Sequence, residues 1–341
     1  MRLPFLSSLV RRIGLDLGTQ TTRIWTDKDG VVLHEPSCVA LDTQNRKVIA
    51  VGSEALAMRG RVAEHIQIVF PIKNGVIYDP ETAKIMVRLF LHSVLKTPYF
   101  FRPLMMASVP SGATAAQRQA LRQVLKAVGA SEVYTMSQPL AAAIGSGVPI
   151  ADASGTFLMQ LGYGVTESAI ISLGSVVAKK MCFSAGESLI TQLQSYIEDQ
   201  VGLVVSFAMA SKLLHQVASL APTPQRQILV AGQDIATNSP REMTISAEIL
   251  QSPVDVVVEE YVAMLKQLLS AIPPELTVDV IDKGMLLAGG LAQLHGLETT
   301  LVQRLGVAVT VVDEPELAVI KGLGVALENV ELLKESLGYQ S

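Results

Sequence analysis

The sequence predicts an α/β protein built from two similar halves, and three observations support this fold class. The alternation in RIGLDLGTQTTRIWT, at 12–26, predicts a strand, a polar glycine-containing turn and a second strand. The same pattern returns at 157–173, in FLMQLGYGVTESAIISL. Apolar strands alternate with amphipathic helices along the rest of the chain, as in layered α/β proteins. A repeat of this kind predicts a duplicated fold that holds one ligand between its halves.

The first turn carries residue types that suit a phosphate group. Gly18 lets the backbone approach a ligand closely, and successive N–H groups of the turn can form an anion-binding concavity. Asp16, at the strand end, is placed to hold a metal-bound water. The candidate ligands of this turn are Asp16, Gly18, Thr19, Gln20, Thr21 and Thr22. For this motif alone, an ordinary hairpin with a polar tip is the alternative, and the second copy at 160–166 favours the phosphate interpretation.

Length and composition exclude several classes of protein. The 341 residues are enough for two domains of ordinary size, and 49% of them are hydrophobic, which predicts large cores. A net charge of −4 gives no sign of the basic surface that nucleic-acid binding requires. Cys38 and Cys182 are far apart, which fits a reduced cytoplasm. We expect neither a signal peptide nor a membrane-spanning segment, because no apolar run reaches the ~18–20 residues that a bilayer requires.

Periodicity and capping signals predict the remaining elements. Short strands with turns are expected over 31–51, and further strands at 66–72, 104–109, 132–135, 227–236, 242–246 and 307–312. Helices are expected at 54–61, 82–96, 114–128, 140–146, 188–201 and 315–328. Ser252 is predicted to cap a helix that carries Pro253 in its first turn and ends near residue 272. Residues 285–290 predict a strand, a glycine turn and a helix start, a common nucleotide-contacting arrangement.

Two apolar segments are candidates for contact with a membrane surface. The first twelve residues place leucines at helical spacing between basic ends, which is typical of a short amphipathic anchor, with a frayed tail as the alternative. The aromatic loop Tyr99, Phe100 and Phe101 is either buried or a second insertion point. The candidate membrane residues are Leu3, Phe5, Leu6, Leu9, Tyr99, Phe100 and Phe101.

The motifs taken together resemble the MreB family of bacterial actin-like proteins, within the actin, sugar-kinase and DnaK-type superfamily. The matching blocks include IGLDLGTQTT (13–22), EPSCVALD (35–42), NGVIYD (74–79), VPSG (109–112), QPLAAAIGSG (138–147) and LLAGGLAQLHGL (286–297). The resemblance implies a duplicated actin-like, ribonuclease-H-like fold with two lobes around a nucleotide cleft. Lobe I would comprise 1–143, with 312–341 packing back on it and a small subdomain at about 32–73. Lobe II would comprise 144–311, with a small subdomain at about 182–247.

The resemblance also implies a function. Proteins of this family are cytoplasmic, bind ATP and Mg²⁺, and form membrane-associated filaments that organise cell-wall synthesis and cell shape. The implied partners are further copies of the chain or a related actin-like protein, the inner face of the cell membrane, and membrane proteins of cell-wall synthesis. Asp16 would hold Mg²⁺ through water, and Gln138 would orient the attacking water. The implied nucleotide ligands are the first turn with Gly162, Gly164, Thr166, Gly289 and Gly290.

Five positions depart from the family pattern at the nucleotide. In the second turn, Gln160 replaces an aspartate, Val165 replaces a threonine, and Tyr163 replaces a glycine, where a bulky residue would resist positive φ. Phe207 replaces an acid expected to hold the ribose, although packing in the core is the more ordinary role of such a residue. Leu291 replaces a glycine of the third turn. These changes predict a partly degenerate site and at most a weak ATPase coupled to polymerisation. The alternatives are a non-hydrolysing actin-fold scaffold or adaptor, and a small-molecule kinase of the same superfamily.

Overall fold

The computed structural model of the protein describes residues 11–45, 47–95, 102–221, 223 and 225–330. The chain forms two compact units: unit 1 comprises 1–153, 171–176 and 316–341, and unit 2 comprises 154–170 and 177–315. The seven candidate membrane residues, Leu3, Phe5, Leu6, Leu9, Tyr99, Phe100 and Phe101, all lie outside the described residues. Among the described residues, no helix is both long and apolar enough to span a bilayer.

The elements alternate along the chain as expected for an α/β protein. The strands are β1 Arg12–Leu17, β2 Thr21–Thr26, β3 Gly30–Pro36, β4 Val39–Asp42, β5 Lys47–Val51, β6 Ile66–Val69, β7 Ile72–Lys73, β8 Val76–Ile77, β9 Leu104–Val109, β10 Glu132–Ser137, β11 Thr156–Leu161, β12 Thr166–Ser172, β13 Ser175–Cys182, β14 Leu203–Val204, β15 Gln227–Asp234, β16 Pro240–Ser246, β17 Met285–Ala288 and β18 Val309–Val311. The helices are α1 Ser53–Ala57, α2 Pro80–Val94, α3 Ala115–Ala127, α4 Gln138–Gly145, α5 Gly186–Val201, α6 Phe207–Gln216, α7 Ala247–Leu269, α8 Pro274–Lys283, α9 Leu297–Leu305 and α10 Ala318–Glu328. Both predicted hairpins are confirmed, as β1–β2 and β11–β12.

Unit 1 is organised around β1, the middle strand of a five-stranded sheet with the order β10-β9-β1-β2-β3. It pairs antiparallel with β2 and parallel with β9. Ile13 and Leu15 are fully buried in a core shared with α2 and α3. On the other face, α10 packs on β1 and on α4, where a side-chain carbon at Gly322 would lie 1.7 Å from the Ala141 carbonyl oxygen. Glycine therefore permits this close helix contact. A smaller sheet has the order β5-β4-β6.

Unit 2 repeats this plan around β11, in a five-stranded sheet with the order β13-β12-β11-β17-β18. Phe157 and Met159 of β11 are buried in one large apolar core, together with side chains of α5 and α7 that include Leu193, Tyr261 and Leu265. A separate three-stranded sheet has the order β14-β15-β16. The amphipathic periodicity of the helices explains why they cover one face of the sheet.

The structure corrects several boundaries. The expectation that a helix starts at Ser252 is wrong, because α7 begins at Ala247 and contains Pro253 in its interior. The ring removes a helical hydrogen bond, which costs about 3 kcal/mol, but the burial of Leu250, Val254 and Val257 on the same helix offsets it. The predicted strand at 66–72 is interrupted before Ile72, where Pro71 cannot donate to a ladder. Helix α1 ends at Ala57, four residues before the predicted end. The sequence does not predict β8, β13, β14, α6, α8 or α9.

Candidate functional site

The first turn, residues 16–22 of unit 1, is closed by backbone and hydroxyl groups. The Gly18 N–H donates to the Thr21 carbonyl oxygen at 3.1 Å, and a side-chain carbon at Gly18 would lie 2.6 Å from that oxygen. The turn therefore requires glycine for space. Thr22 Oγ1 lies 2.8 Å from Ser37 Oγ, which donates to the Gly18 carbonyl oxygen at 2.7 Å. The Ser37 N–H donates to Gln20 O at 2.9 Å, so the residue that follows β3 fixes the backbone of the turn.

Thr19 connects this turn to two other loops of unit 1. The Gly75 N–H donates to Thr19 Oγ1 at 2.9 Å. Gly75 has a φ of +72°, and a side-chain carbon there would lie 2.8 Å from Pro110 Cγ and 3.6 Å from Gln138 Nε2. Thr19, Gly75 and Gln138 therefore lie close together. The Thr19 hydroxyl accepts the bond from Gly75, so its own proton can be donated to a ligand.

Asp16 and Arg23 form a largely buried ion pair at the base of the turn. They are cross-strand partners of β1 and β2. Asp16 Oδ1 accepts a hydrogen bond from Ser108 Oγ at 2.7 Å, and Arg23 Nη1 lies 3.4 Å from Asp16 Oδ2. The Arg23 side chain is 13% exposed, and its Nε is buried with no hydrogen-bond partner among the described residues. Partial burial and the charge of Arg23 lower the pKa of His34, the next residue across the sheet.

The second turn, residues 160–166 of unit 2, has the same backbone construction. The Gly162 N–H donates to the Val165 carbonyl oxygen at 3.1 Å, and a side-chain carbon at Gly162 would lie 2.5 Å from that oxygen. Thr166 Oγ1 donates to the Ser184 carbonyl oxygen at 2.8 Å. The Gly186 N–H donates to Gly162 O at 3.2 Å, which ties the start of α5 to the turn. Gly164 is buried within it.

Tyr163 does not strain the turn, contrary to the expectation from its bulk. Among the described residues, the non-glycine positions with positive φ are Asn74, Leu173, Asn238 and Glu314, and Tyr163 is absent from this group. Its carbonyl oxygen accepts the Glu187 N–H at 2.8 Å. A side-chain carbon at Gly186 would lie 3.0 Å from Tyr163 Cδ2. The small residue Gly186 therefore makes room for the ring at the N-terminus of α5.

The third turn packs against the second within unit 2. Gly289 has a φ of +90°, and a side-chain carbon there would lie 2.2 Å from the Leu161 carbonyl oxygen. Gly290 begins a 3₁₀ helix, Gly290–Gln293, and a side-chain carbon there would meet nothing within 4 Å. Gly290 therefore leaves open space in which a ligand can approach. Leu291 and Phe207 are both half-buried and pack against the apolar core of unit 2. Packing in the core is the alternative that the sequence predicts for Phe207.

Gln160 stands at the end of β11, at the position that corresponds to Asp16. It is 8% exposed, and its Oε1 is buried without a hydrogen-bond partner among the described residues. Glu167, seven residues later, is fully buried. A buried amide oxygen without a partner is unfavourable unless a ligand or water completes it. Gln160 is therefore a group that is ready to accept a hydrogen bond but brings no charge.

Mg²⁺ does not fit the residues that are present. Among the described residues, no cluster of three or more His, Cys, Asp or Glu side chains could hold a metal ion. A nucleotide-bound Mg²⁺ needs fewer protein ligands, because phosphates and waters supply the rest. Asp16, however, accepts from Ser108 through one oxygen and faces the Arg23 guanidinium with the other. Gln160 is neutral, so neither strand end supplies an unpaired negative charge.

Four residues that complete this region were not predicted to act in it. They are Arg23, Ser37, Gly75 and Ser108. Ser37 and Gly75 lie within the EPSCVALD and NGVIYD blocks, and Ser108 directly precedes VPSG. A sequence signal therefore existed for these three, but it did not say what each residue contacts.

Comparison with known proteins supplies the family. A family model described as "MreB/Mbl protein" matches residues 10–335. The cell shape-determining protein Mbl of Bacillus subtilis is 34% identical over 324 residues, which cover 95% of this chain and 97% of that protein. The chain belongs to the MreB/Mbl family. The family member MreB of Escherichia coli is 34% identical over 330 residues, which cover 94% of both proteins.

Solved structures of similar proteins agree with this assignment. MreB5 of Spiroplasma citri, crystallised with AMPPNP, superposes with a TM-score of 0.91 at 27% identity, over 96% of this chain and 98% of that chain. A double helical filament of MamK gives a TM-score of 0.78 at 21% identity, over 93% and 98% of the two chains, and shows the fold alone. The resemblance seen in the sequence and the predicted actin-like α/β fold are both confirmed.

Proposed function

We propose that this MreB/Mbl protein is a cytoskeletal protein that binds an adenine nucleotide and polymerises into filaments. The observation that carries the proposal is the pair of glycine turns, one in each unit, closed by equivalent hydrogen bonds. Successive backbone N–H groups of such a glycine turn can bind phosphate. In the first turn the Thr19 hydroxyl, which accepts from the Gly75 N–H, can add a donor. The similar MreB5 of Spiroplasma citri, which has been crystallised with AMPPNP and with ADP, supports the same ligand class.

Titration of the full chain with ATP and ADP tests nucleotide binding. Thr19→Val keeps the shape of the side chain but removes the hydroxyl proton that we assign to a phosphate. We expect affinity to fall roughly 10-fold, because a hydrogen bond to a charged group contributes about 1.5–3 kcal/mol. Thr244→Val, at an exposed position of β16, is the matched control and should leave affinity unchanged. Absence of binding to the unmodified chain would contradict the proposal.

Filament formation is the second part of the proposal. Its support is membership of a family whose relatives are named cell shape-determining proteins. We expect sedimentable filaments with ATP, either from this chain alone or mixed with a second MreB-type protein. Electron microscopy and sedimentation measure this. If neither mixture gives filaments with or without nucleotide, the protein is a non-polymerising scaffold.

We also place the filaments in the cytoplasm, at the inner membrane face, with membrane proteins of cell-wall synthesis as partners. The supporting observation is where the two candidate membrane segments join the described fold. Residues 1–10 continue into β1 and residues 96–101 precede β9, and Arg12 is paired with Leu104 in these adjacent parallel strands. A cavity of about 500 Å³ at this edge of the sheet is lined by the basic residues Arg11, Arg12 and Lys28, by the acidic residues Asp27 and Asp29, and by apolar side chains. The basic side chains outnumber the acidic ones, and basic residues next to apolar segments favour an anionic lipid surface.

Co-sedimentation with vesicles that contain anionic lipid tests this placement. Leu6→Glu with Leu9→Glu should abolish binding, because charges at these positions remove the apolar stripe. Phe100→Ser should weaken binding less. Phe183→Ser provides the control, because Phe183 is 59% exposed and belongs to unit 2. Equal loss in all variants, or binding that survives the double glutamate variant, would contradict a specific membrane face.

Slow hydrolysis completes the proposal. Gln138, buried beside Gly75, would orient water without acting as a base, as glutamine does in small GTPases. We expect Gln138→Ala to reduce phosphate release from polymerised protein while nucleotide affinity is retained. An unchanged rate of release would remove Gln138 from this role.

A further inference from the structure

We propose that Arg23 takes the place of the divalent cation in the nucleotide site, so that phosphate binding needs no Mg²⁺. This inference rests on the proposed nucleotide binding and concerns how the charge of the phosphates is balanced. Arg23 stands on β2 two residues after Thr21, and it pairs across the sheet with Asp16 on the other side of the same turn. The phosphate turn therefore carries a fixed cation at its base.

The guanidinium has more hydrogen-bonding capacity than its surroundings satisfy. A guanidinium presents five N–H donors in a planar fork. Among the described residues, its one ion pair is the 3.4 Å contact to Asp16, and its buried Nε lacks a partner. A buried charged donor without a partner is unfavourable. Phosphate oxygens are the ligands that this fork matches best, so the terminal N–H groups that Asp16 does not occupy are donors for an anion at the turn.

The charges around Arg23 argue against an additional metal ion. Asp16 is its nearest acid, and the pair is electrically neutral. His34 lies on the other side of Arg23 and is biased toward its neutral form. Glu35 accepts two hydrogen bonds from Ser53, at 2.8 Å from its N–H and 2.7 Å from its hydroxyl, and Glu316 also faces His34. A Mg²⁺ ion held by Asp16 through water would lie close to the guanidinium, and two cations repel at such distances.

Unit 2 supports the same conclusion from its own strand end. Where an aspartate would contribute a second negative charge to a metal shell, Gln160 offers an amide oxygen that accepts hydrogen bonds but carries no charge. Loss of such an outer-shell carboxylate reduces metal affinity by roughly 10–100-fold. Gln160 therefore brings no charge to the end of β11, and Arg23 balances the charge of Asp16 at the end of β1. Each strand end, taken by itself, lacks an unbalanced carboxylate for a divalent cation.

The experiment is titration of the full chain with ATP and with ADP, in buffer with Mg²⁺ and in buffer with EDTA. For each nucleotide, we expect the unmodified chain to show dissociation constants in Mg²⁺ and in EDTA that agree within about threefold. This is well under the tenfold change that corresponds to 1.4 kcal/mol. Arg23→Leu should weaken binding about 10-fold or more in EDTA, and it should bind more tightly when Mg²⁺ is restored, because Asp16 is then free. Arg241→Leu removes an exposed arginine–aspartate pair in unit 2 and should change neither value.

Asp16→Asn keeps the test decisive if Arg23→Leu does not fold. If Asp16 pairs with Arg23 and does not hold a metal ion, Asp16→Asn should leave nucleotide affinity in Mg²⁺ unchanged or higher. The reason is that the substitution removes one negative charge near the phosphates. A loss of roughly 10–100-fold in Mg²⁺ would instead identify Asp16 as a metal partner and overturn the inference. Nucleotide binding by the unmodified chain in Mg²⁺ but not in EDTA would also overturn it and leave the proposed function intact. Absence of binding in both buffers would overturn both.

Discussion

The two glycine turns of this protein share a backbone but not a chemistry. In each, a glycine N–H donates to a carbonyl oxygen three residues on at 3.1 Å. In each, the hydroxyl of a buried threonine is hydrogen-bonded to a serine, Thr22 to the Ser37 hydroxyl and Thr166 to the Ser184 carbonyl oxygen. These are the positions that determine the shape of the turn. A duplicated fold therefore keeps its turn geometry through glycine and threonine.

The strand ends beside the turns differ in charge. Asp16 is paired with Arg23, which stands seven residues later, whereas Gln160 is neutral and Glu167, also seven residues later, is a buried acid. The sign of the charge on the second strand is thus reversed between the halves. The two turns therefore share the residues that determine their shape and differ in the residues that set their charge.

The largest effect that tests this comparison comes from alanine at the two turn glycines. Gly18→Ala and Gly162→Ala would each place a carbon within 2.6 Å of a carbonyl oxygen, at 2.6 and 2.5 Å. We expect each to lower the free energy of unfolding by about 2–4 kcal/mol, and by similar amounts, because the turn must open. Gly290→Ala, which meets nothing within 4 Å, is the control and should cost less than about 0.5 kcal/mol.

Hydrogen exchange of β1–β2 and β11–β12 should accompany denaturation of these variants, because two units need not unfold in one transition. Each alanine should increase exchange in its own hairpin. If one variant is as stable as the unmodified chain while the other loses several kcal/mol, the two turns are not structurally equivalent.

Local signals predicted the framework well because they depend on few residues. The strand that the sequence predicts over residues 104–109 matches β9. Thr114 is predicted to cap a helix, and its hydroxyl accepts the Gln117 N–H at 3.2 Å. The predicted helix start at Ser252 is wrong because a proline such as Pro253 is also typical of a first helical turn. Its place within α7 is decided by burial against a core that residues distant in sequence provide.

The candidate site was predicted only in part, for the same reason. The turn residues follow from a motif, but the role of Arg23 depends on cross-strand register, which pairs it with Asp16. Gly75 lies 56 residues from the Thr19 hydroxyl to which it donates. Ser108 lies 92 residues from the Asp16 carboxylate. Contacts across such separations are set by topology, and the sequence by itself did not identify them.

A smaller effect separates the two threonines. Thr166→Val leaves the Ser184 carbonyl oxygen without its hydroxyl donor, so we expect a loss of about 1–2 kcal/mol. Thr22→Val should cost less, about 0.5–1 kcal/mol, because Ser37 still donates to the Gly18 carbonyl oxygen. Urea unfolding of both single variants measures the difference. If Thr22→Val instead costs more than Thr166→Val, the hydrogen bond from Ser37 to the Gly18 carbonyl oxygen depends on the contact between the Thr22 and Ser37 hydroxyls.

Gln160→Met should have little effect on the free protein. The amide Oε1 has no hydrogen-bond partner among the described residues, so its removal forfeits no bond and we expect a change within about 0.5 kcal/mol. Nucleotide affinity should nevertheless fall, because the ligand or its water loses an acceptor. Unfolding and titration of the same variant separate the two effects. A loss of stability without loss of affinity would make Gln160 a structural residue.

The smallest effect is a shift in the titration of His34, which reports the charge of Arg23. Partial burial and then the Arg23 charge lower the pKa of His34, against the opposing charges of Glu316, Glu35 and Asp16. The neutral ring is therefore favoured in the folded protein. Its contribution to stability is present above the unfolded value of about 6.5 and is lost as the pH falls through the folded pKa. Arg23→Leu should raise the pKa of His34 in an NMR titration, while Arg241→Leu leaves it unchanged. An unaltered His34 pKa in Arg23→Leu would mean that the guanidinium charge is already neutralised by Asp16, which would also weaken its proposed attraction for phosphate.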